Sequence, residues 1–342
     1  MKKSLMLIGV VLILSGAFLV NGKYFEGLVG PIQEKKQIYS GPVDNLTVGK
    51  QAEYGTLFVV AKEQGFFKAQ GLDVTIREYE SGAPAFANLL KGEIDMTNAA
   101  EFVGVRNSFL NEDFKILGSI GTATSAWEII ARRDRGINNI SDLKGKKIGL
   151  PRKTLGEFFL GNFLLINKIS LSDVKLIDNT PLALSEAILS GSIDAVMIFE
   201  PHVFNIKQTL GSNAVNWSGQ SDRLNYILLY ASGNTIRNKP EAVKRFIKSL
   251  VMAEEYLKNT DGVVEKFMKE TLRYNDAYVS SVLPKFRFFV ALEQPMLLLM
   301  EDEARWVIEN KLTTGTKVPN YLNFIYFDAL SEVNPEAITI IR

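Results

Sequence analysis

Two stretches of this chain, offset by 99 residues, share one pattern. Residues 89–102 read LLKGEIDMTNAAEF and residues 188–201 read ILSGSIDAVMIFEP. Both contain an apolar pair, one residue, Gly, one residue and Ile-Asp, and both place a Glu nine residues after the Gly, at Glu101 and Glu200. A Gly between an apolar helical segment and a short apolar run is typical of a helix C-cap before a strand. The repetition predicts two equivalent helix–turn–strand units.

The surrounding chain alternates strand and helix patterns in two rounds. We predict strands at residues 46–49, 72–79, 94–97, 114–120, 127–132, 146–150, 174–178, 193–198 and 225–232. We predict helices at residues 57–64, 83–91, 102–110, 154–167 and 181–191, and then from 240, at 262–272, 277–283 and 295–311. Two β-α-β-α-β rounds followed by helices indicate two α/β lobes rather than one continuous sheet.

The carboxyl ends of the predicted strands carry polar side chains. Open α/β sheets bind ligands at those ends, so Glu101 and Glu200 are expected to face one cleft as acceptors for an amine or ring N–H. Both should lie on loosely packed turns. The alternative is that the repeat is ordinary helix–strand punctuation and that each Glu is a solvated surface charge.

Two further pairs precede predicted helix starts, Ser81-Gly82 and Lys153-Thr154. Free N–H groups and the positive end of the helix dipole would favour an anionic group there. The alternative for Thr154 is simple capping, within a capping box closed by Glu157. Both signs of charge in one cleft predict a small zwitterion or polar heterocycle as ligand, and aromatic side chains could supply an apolar wall.

Composition excludes several classes of function. The net charge is +1, which gives no basic footprint for nucleic acid. The chain has no Cys and only one His, His202, so disulfides, thiolate sites and clustered-histidine metal sites are excluded. No Ser or Cys partner for His202 is evident in the sequence, and no phosphate-binding Walker motif occurs. We therefore expect no enzyme activity, no cofactor and no metal.

The first 22 residues differ in composition from the rest of the chain. Two lysines precede a 16-residue apolar run at residues 5–20, which is typical of a secretory signal peptide. An uncleaved N-terminal anchor with the same orientation is the alternative. Residues 23–45 are predicted to be a tether. Either reading places the body of the protein outside the cytoplasm, in the periplasm or on the outer face of the cytoplasmic membrane.

Longer stretches resemble a known family. LFVVAKEQGFFKAQGLDV (57–74), LLKGEID (89–95), ISDLKGKKIGLPRKT (140–154), ALSEAILSGSIDA (183–195) and FEP (199–201) are similar to the nitrate, taurine and sulfonate family of ABC-importer solute-binding proteins. Thiamine-pyrimidine precursor binders are close relatives of that family. The resemblance covers about residues 46–312. It implies a two-lobed periplasmic-binding-protein fold of type II, with two Rossmann-like lobes joined by two crossing strands and C-terminal helices packed on the first lobe.

The resemblance also implies a set of ligand-binding residues and partners. Residue by residue, the cleft would be lined by Glu53, Tyr54, Gly55, Ser81, Gly82, Asn98, Ala99, Glu101, Thr122, Thr124, Trp127, Lys153, Thr154, Leu155, Phe199 and Glu200. The chain departs from the sulfonate binders at both late glutamates and in the turn at 153–156. The implied partners are a small-molecule solute and an ABC permease with a separate ATPase subunit, and the implied oligomeric state is a monomer.

The predicted domain division follows the same resemblance. Lobe 1 comprises residues 46–127 plus 225–342, and lobe 2 comprises residues 128–224. The expected function is capture of a small anionic or zwitterionic organic solute for import. Two alternatives stay open: an enzyme on the same fold, acting in thiamine-pyrimidine synthesis or small-acid dehydration, and a ligand-sensing domain for a membrane receptor. Export argues against the enzyme.

Overall fold

A computed structural model describes residues 39–110, 113–220 and 223–341 of the chain. The strands within these ranges form two separate sheets. In chain order they are β1 (Asp44–Gln51), β2 (Leu72–Tyr79), β3 (Met96–Ala100), β4 (Phe114–Ala123), β5 (Trp127–Arg132), β6 (Lys147–Leu150), β7 (Lys175–Asp178), β8 (Ala195–Phe199), β9 (Ala214–Ser218), β10 (Asn225–Ser232) and β11 (Phe286–Arg287).

Helices cover the sheets and make up most of the C-terminal third. They are α1 (Thr56–Glu63), α2 (Phe66–Ala69), α3 (Gly82–Leu90), α4 (Glu101–Ser108), α5 (Leu155–Ile166), α6 (Pro181–Ser190), α7 (His202–Leu210), α8 (Gly233–Asn238), α9 (Pro240–Lys258), α10 (Val263–Glu270), α11 (Asp276–Val282), α12 (Gln294–Glu309) and α13 (Phe327–Val333).

The first sheet has the order β11-β4-β10-β3-β1-β2, and the second has the order β7-β6-β8-β5-β9. β1 runs parallel to β2 and β3, just as β6 runs parallel to β7 and β8. The returning strand β10 is antiparallel to β3 and β4, and β5 is antiparallel to β8 and β9. Each sheet therefore presents the carboxyl ends of three parallel strands along one edge.

The repeated sequence forms the same structure in both sheets. α3 ends before Gly92 and α6 ends at Gly191, and both glycines have a left-handed backbone, with φ of +73° and +74°. Asp95 Oδ2 then accepts the N–H of Thr47 in β1 at 2.8 Å, and Asp194 Oδ2 accepts the N–H of Lys147 in β6 at 2.8 Å. The repeat thus ties β3 and β8 to the neighbouring parallel strand in the same way.

Two short crossings connect the sheets, one between β4 and β5 and the other between β9 and β10. The buried Gln220 side chain holds them together. Its Oε1 accepts the N–H of Ala126 at 3.0 Å, and its Nε2 donates to the carbonyls of Ala123 at 2.6 Å and Arg223 at 2.8 Å. One side chain thus fixes both crossings at the base of the space between the sheets.

The C-terminal helices pack on the first sheet, as the fold prediction required. α9 lies against α1 and α2, where the buried Phe246 ring stacks on Phe67 at 4.9 Å between centroids and meets the edge of Phe58 at 5.7 Å. α12 packs on α4, and α13 packs on α9. The helices that follow β10 therefore complete the hydrophobic core of the first sheet.

Most predicted elements are confirmed to within two residues, and several were missed. β2, β5 and β10 have the predicted bounds, whereas β4 extends three residues further, to Ala123. The sequence did not predict β9, β11, α2, α7, α8 or α13. β1 begins at Asp44, inside the segment predicted to be a tether.

The signal or anchor at residues 1–22 lies outside the described residues, and among those that are described no helix is long and apolar enough to cross a membrane. The division into two lobes remains a prediction about rigid-body motion.

We predict that Phe246→Ala lowers the free energy of unfolding by about 3–5 kcal/mol, because it leaves a cavity between α9 and α1–α2. Urea unfolding followed by circular dichroism measures the change. Lys248→Ala, at an exposed position of the same helix, is the control and should stay within about 0.5 kcal/mol of wild type. Equal stability of the two variants would contradict this account of the C-terminal packing.

Candidate functional site

A cavity of about 480 Å³ lies between the two sheets. Its walls come from the segments that follow β2, β6 and β7, at the carboxyl edges of both sheets. Three of the lining residues, Ser81, Thr154 and Thr180, are the N-caps of α3, α5 and α6. The structure therefore directs three helix N-termini at one space.

The three N-caps differ in how they are used. Thr154 Oγ1 accepts the N–H of Gly156 and Thr180 Oγ1 accepts the N–H of Ala183, each at 3.3 Å, whereas Ser81 forms no such capping bond. The N-termini of three helices favour an anionic group here. The lining also contains Arg152 and the carboxylates of Glu80 and Asp178. From the sequence, Thr180 is predicted only to start a helix. Its position shortly after a predicted strand and before Pro181 is the signal that could have identified it as a residue lining the cavity.

The neighbouring residues of the 153–155 turn take different positions. Lys153 is exposed and has a left-handed backbone (φ +61°), and Leu155 is fully buried. The predicted capping box does not form: the Glu157 carboxylate accepts the N–H of Lys153 at 3.1 Å rather than that of Thr154, and it pairs with Arg152 at 3.0 Å. Because Lys153 has a left-handed backbone, the Glu157 carboxylate accepts from the residue one position before the predicted N-cap.

Four buried polar atoms at the ends of β1 and β3 have no hydrogen-bonding partner within the described chain. They are Glu53 Oε2, the Tyr54 hydroxyl, Asn98 Nδ2 and Glu101 Oε1. All four residues belong to the site predicted from sequence, and each is at most 3% exposed. Buried polar atoms are nearly always hydrogen-bonded in folded proteins, so these atoms mark a place where a further molecule is expected to bind.

The two repeated glutamates act electrostatically on a common group. Burial, and after it the carboxyls of Glu53, Glu200 and Glu101, raise the pKa of the Tyr54 hydroxyl well above its usual range. Acidic side chains that follow β1, β3 and β8 thus affect one tyrosine. The Tyr54 ring is fixed from the other side by an edge-on contact with Phe286, at 5.2 Å between centroids.

Glu101 is the first residue of α4 and is fully buried rather than lying on a loose turn. Its Oε2 accepts from Asn225 Nδ2 at 2.8 Å, and Asn225 Oδ1 in turn accepts from the indole N–H of Trp127 at 3.4 Å. Burial raises the pKa of Glu101 to about 8. The carboxyl is therefore largely protonated at neutral pH and can donate as well as accept.

Glu200 is also buried, but both of its oxygens are occupied. Oε1 pairs with Lys285 Nζ at 2.7 Å and Oε2 accepts the N–H of Phe204 at 3.0 Å. Burial raises the pKa of Glu200, and Lys285 opposes that rise. Lys285 also lies 3.6 Å from Glu128 in β5, while its carbonyl accepts the N–H of Thr124 at 2.8 Å. The expectation of a loosely packed turn at Glu200 was wrong, because this ion pair joins the second sheet to the C-terminal region.

The C-terminal third adds residues that sequence reasoning missed. The Tyr278 hydroxyl donates to Glu53 Oε1, and Tyr278 packs on Tyr274 with 4.1 Å between centroids. Phe204 of α7 meets Tyr278 edge-on at 5.2 Å. These residues lie more than 150 positions from Glu53 in sequence, and no local pattern could have brought them to the site.

The remaining predicted residues shape the surroundings. A Cβ at Gly82 would lie 2.6 Å from Ala99 Cβ, so the start of α3 requires a glycine to pack on β3. Gly55 is the N-cap of α1, and Thr122 is buried near the end of β4 while Thr124 is exposed just beyond it. The Trp127 and Phe199 rings are in contact, with 4.7 Å between centroids, and both are nearly fully buried.

His202 has a partner that the sequence did not reveal. Its Nδ1 lies 2.8 Å from Ser185 Oγ, which donates to the carbonyl of Pro181 at 2.8 Å. The arrangement joins α6 to α7. No group of three His, Cys, Asp or Glu side chains that could hold a metal occurs in residues 39–110, 113–220 and 223–341.

We predict that Lys285→Met lowers the free energy of unfolding by roughly 3 kcal/mol, the lower end for a broken buried pair, because Lys285 keeps about a fifth of its side chain exposed. Adding Glu200→Gln should recover most of the loss. Urea unfolding at neutral pH measures both. The control is Lys266→Met, which breaks an exposed 3.9 Å pair and should cost almost nothing. A double variant as unstable as Lys285→Met would contradict the pairing.

A second prediction concerns pH. Because the folded pKa of Glu101 lies above the usual 4.5, the folded state binds more protons than the unfolded chain, and stability should fall as pH rises from about 4.5 to 8. Glu303, whose pKa is also raised by burial, contributes in the same direction. Glu101→Gln should flatten this fall, whereas Glu93→Gln at an exposed position should not. Unfolding at pH 5 and pH 8 measures the slopes, and an unchanged slope in Glu101→Gln would contradict the assignment.

Comparison with known sequences gives relatives along most of the chain. A Bacillus subtilis protein that is named as an aliphatic sulfonates-binding protein is 27% identical over 293 residues, covering 78% of this chain and 84% of the relative. The taurine-binding periplasmic protein of Escherichia coli is 24% identical over 226 residues, covering 64% of this chain and 68% of the relative.

Comparison with solved structures confirms the predicted periplasmic-binding-protein fold. The alkanesulfonate-binding protein SsuA of Xanthomonas axonopodis superposes with a TM-score of 0.70 at 18% identity, covering 84% of this chain and 99% of that one. The desulfurization enzyme DSZB superposes with a TM-score of 0.61 at 17% identity, covering 86% and 99%. Binding proteins and an enzyme share this fold, so the fold alone does not choose between them.

The sequence profile of one family extends over more than half of the chain, from residue 53 to residue 262. It includes both copies of the repeat and all of the parallel strands of both sheets except β1, which ends at Gln51. The chain is thereby a member of the NMT1/THI5 like family.

Proposed function

We propose that this protein is the extracytoplasmic solute-binding subunit of an ABC importer and captures a small polar organic solute between its two sheets. The observation that carries the proposal is the set of unpartnered buried atoms on Glu53, Tyr54, Asn98 and Glu101, at the strand ends where such folds bind ligands. The binding proteins among its relatives support the same class of function.

The two regions of the site favour a ligand with two different ends. The cavity lined by the starts of α3, α5 and α6 suits an anionic group such as a sulfonate, carboxylate or phosphate. The carboxyls of Glu53 and Glu101 suit an ammonium or ring N–H group, and Asn98 and Tyr54 can donate to an acceptor. A zwitterion or an amino-substituted heterocycle matches this distribution better than a simple aliphatic sulfonate.

The proposed mechanism is closure of two lobes around the solute. In the proposed division, residues 46–127 plus 225–342 move against residues 128–224, with the crossings held by Gln220 as the hinge. The Lys285–Glu200 pair joins groups on opposite sides of that division and would stabilise the closed form. Hinge closure of this kind is typical of periplasmic binding proteins.

The proposed partners and location follow from the importer role. The chain is exported by residues 1–22, which act as a signal peptide or an anchor, and delivers its solute as a monomer to a membrane permease. A separate chain supplies the ATPase. A sensor that presents the same bound solute to a membrane receptor would use the same site. Loss of solute uptake on deletion of the gene would support the importer, and retained uptake with a lost response to the solute would support the sensor.

The anionic end of the ligand can be tested at the start of α3. Asp is as good an N-cap as Ser, so Ser81→Asp should fold normally while placing a negative charge at the proposed anion position. Ser81→Asn is the uncharged control of the same shape. For a sulfonate probe such as taurine we expect about a hundredfold weaker binding to the Asp variant, since a like-charge contact costs several kcal/mol, and little change in the Asn variant.

Calorimetry measures the affinities, and thermal unfolding confirms that both variants fold. A saturating probe at 100 times its dissociation constant should stabilise the wild type by ~2.7 kcal/mol. Equal affinity of the two variants would place the anionic group elsewhere, and a wild type stabilised by no sulfonate, carboxylate or aminopyrimidine probe would contradict the proposed class of solute.

A further inference from the structure

Glu303 lies in the middle of α12, outside the segment matched by the family profile. Its side chain is fully buried, and neither carboxyl oxygen has a hydrogen-bonding partner among the described residues. A buried carboxyl with two unsatisfied oxygens is costly unless another molecule supplies donors. This helix was not part of the site predicted from sequence.

Glu303 shares its surroundings with Glu101. α12 packs on α4, whose first residue is Glu101, and both carboxyls act on the hydroxyl of Tyr230, whose pKa is raised by burial and then by these two groups. Glu101 contributes a third unpartnered oxygen. Two packed helices therefore carry three buried carboxyl oxygens without a partner among the described residues, and the two carboxyls act electrostatically on the same hydroxyl.

A second observation connects this pair to the proposed ligand site. The Tyr54 hydroxyl is buried and unpartnered, and Glu101 is close enough to raise its pKa together with Glu53 and Glu200. Arg223 is the cation that opposes the rise in the pKa of Glu303. Its guanidinium lies 5.1 Å from the centroid of the Phe158 ring and forms no hydrogen bond to Glu303. The described residues therefore supply no donor to either oxygen of Glu303 or to Oε1 of Glu101.

We propose that Glu303 is a ligand-contacting specificity residue and that it acts with Glu101 to select solutes whose buried end carries an ammonium or several N–H donors. The inference rests on the proposed solute-binding function and narrows its substrate class. A metal ion is a poor alternative occupant, because no third acidic or histidine ligand joins the pair within the described residues.

The test uses two pairs of probes that differ in the donor group alone. Taurine is compared with ethanesulfonate, and 4-amino-5-hydroxymethyl-2-methylpyrimidine is compared with its form lacking the 4-amino group. The full-length protein is measured by calorimetry and thermal unfolding as wild type, Glu303→Gln and Glu309→Gln. Glu309 is an exposed acid on the same helix, so its substitution makes the same Glu-to-Gln change without touching the buried pair.

We expect the wild type to bind the donor-bearing member of at least one pair about ten- to a hundredfold more tightly than its counterpart, which is the size of effect of a charge-assisted hydrogen bond. Glu303→Gln should abolish most of that discrimination, and Glu309→Gln should retain it. Gln resembles a protonated carboxyl in shape, so the melting temperature of Glu303→Gln without probe should equal or exceed that of the wild type.

The outcomes separate the two proposals. Discrimination that Glu303→Gln retains, or a wild type that binds both members of each pair equally, would overturn the role of Glu303 while leaving solute binding intact. A wild type that binds none of the four compounds would overturn the proposed class of solute and this inference with it. A merely structural Glu303 would change the melting temperature and leave the ratio of affinities unchanged.

Discussion

The hydrogen bond from one aspartate to the neighbouring parallel strand sets the geometry of both halves. Asp95 and Asp194 each accept a strand N–H through the side chain and donate their own N–H to the carbonyl of the same residue, Thr47 or Lys147. This fixes where β3 and β8 enter their sheets, and a slip of one residue would exchange buried and exposed faces. The spacing along the chain between each aspartate and the following glutamate then places Glu101 and Glu200 just beyond the carboxyl ends of β3 and β8.

The same geometry creates the main electrostatic problem of the fold, because it carries acidic side chains into buried positions. Each receives a different partner: Tyr278 for Glu53, Asn225 for Glu101 and Lys285 for Glu200. All three partners follow the second crossing, so the returning chain completes what the first half leaves unsatisfied. Satisfaction is full at Glu200 and partial at Glu53 and Glu101, and this difference separates a structural ion pair from a candidate ligand site.

Sequence patterns predicted the long elements well because their periodicity and caps are local. The α6 segment, for example, starts after Thr180 at Pro181 as predicted, and it ends at Ser190, with Gly191 as its C-cap. β11 was missed because two residues carry no period, and α7 was missed because only Glu200 and Pro201 separate its first residue from the end of β8. The predicted capping box does not form because, with Lys153 in a left-handed conformation, the Glu157 carboxylate accepts the N–H of Lys153 instead of that of Thr154.

The sequence by itself determined the two-lobed α/β architecture, the equivalence of the two repeats and the residues that leave the strand ends, since all of these depend on spacing along the chain. Only the tertiary structure decided what each of those residues does. Glu101 and Glu200 are matched in sequence, yet one is a buried carboxyl with a pKa near 8 beside Glu303 and the other is paired with Lys285. The state of a buried carboxyl depends on the groups that the folded chain brings within a few ångströms, and Lys285 and Asn225 lie 85 and 124 residues away in sequence from Glu200 and Glu101.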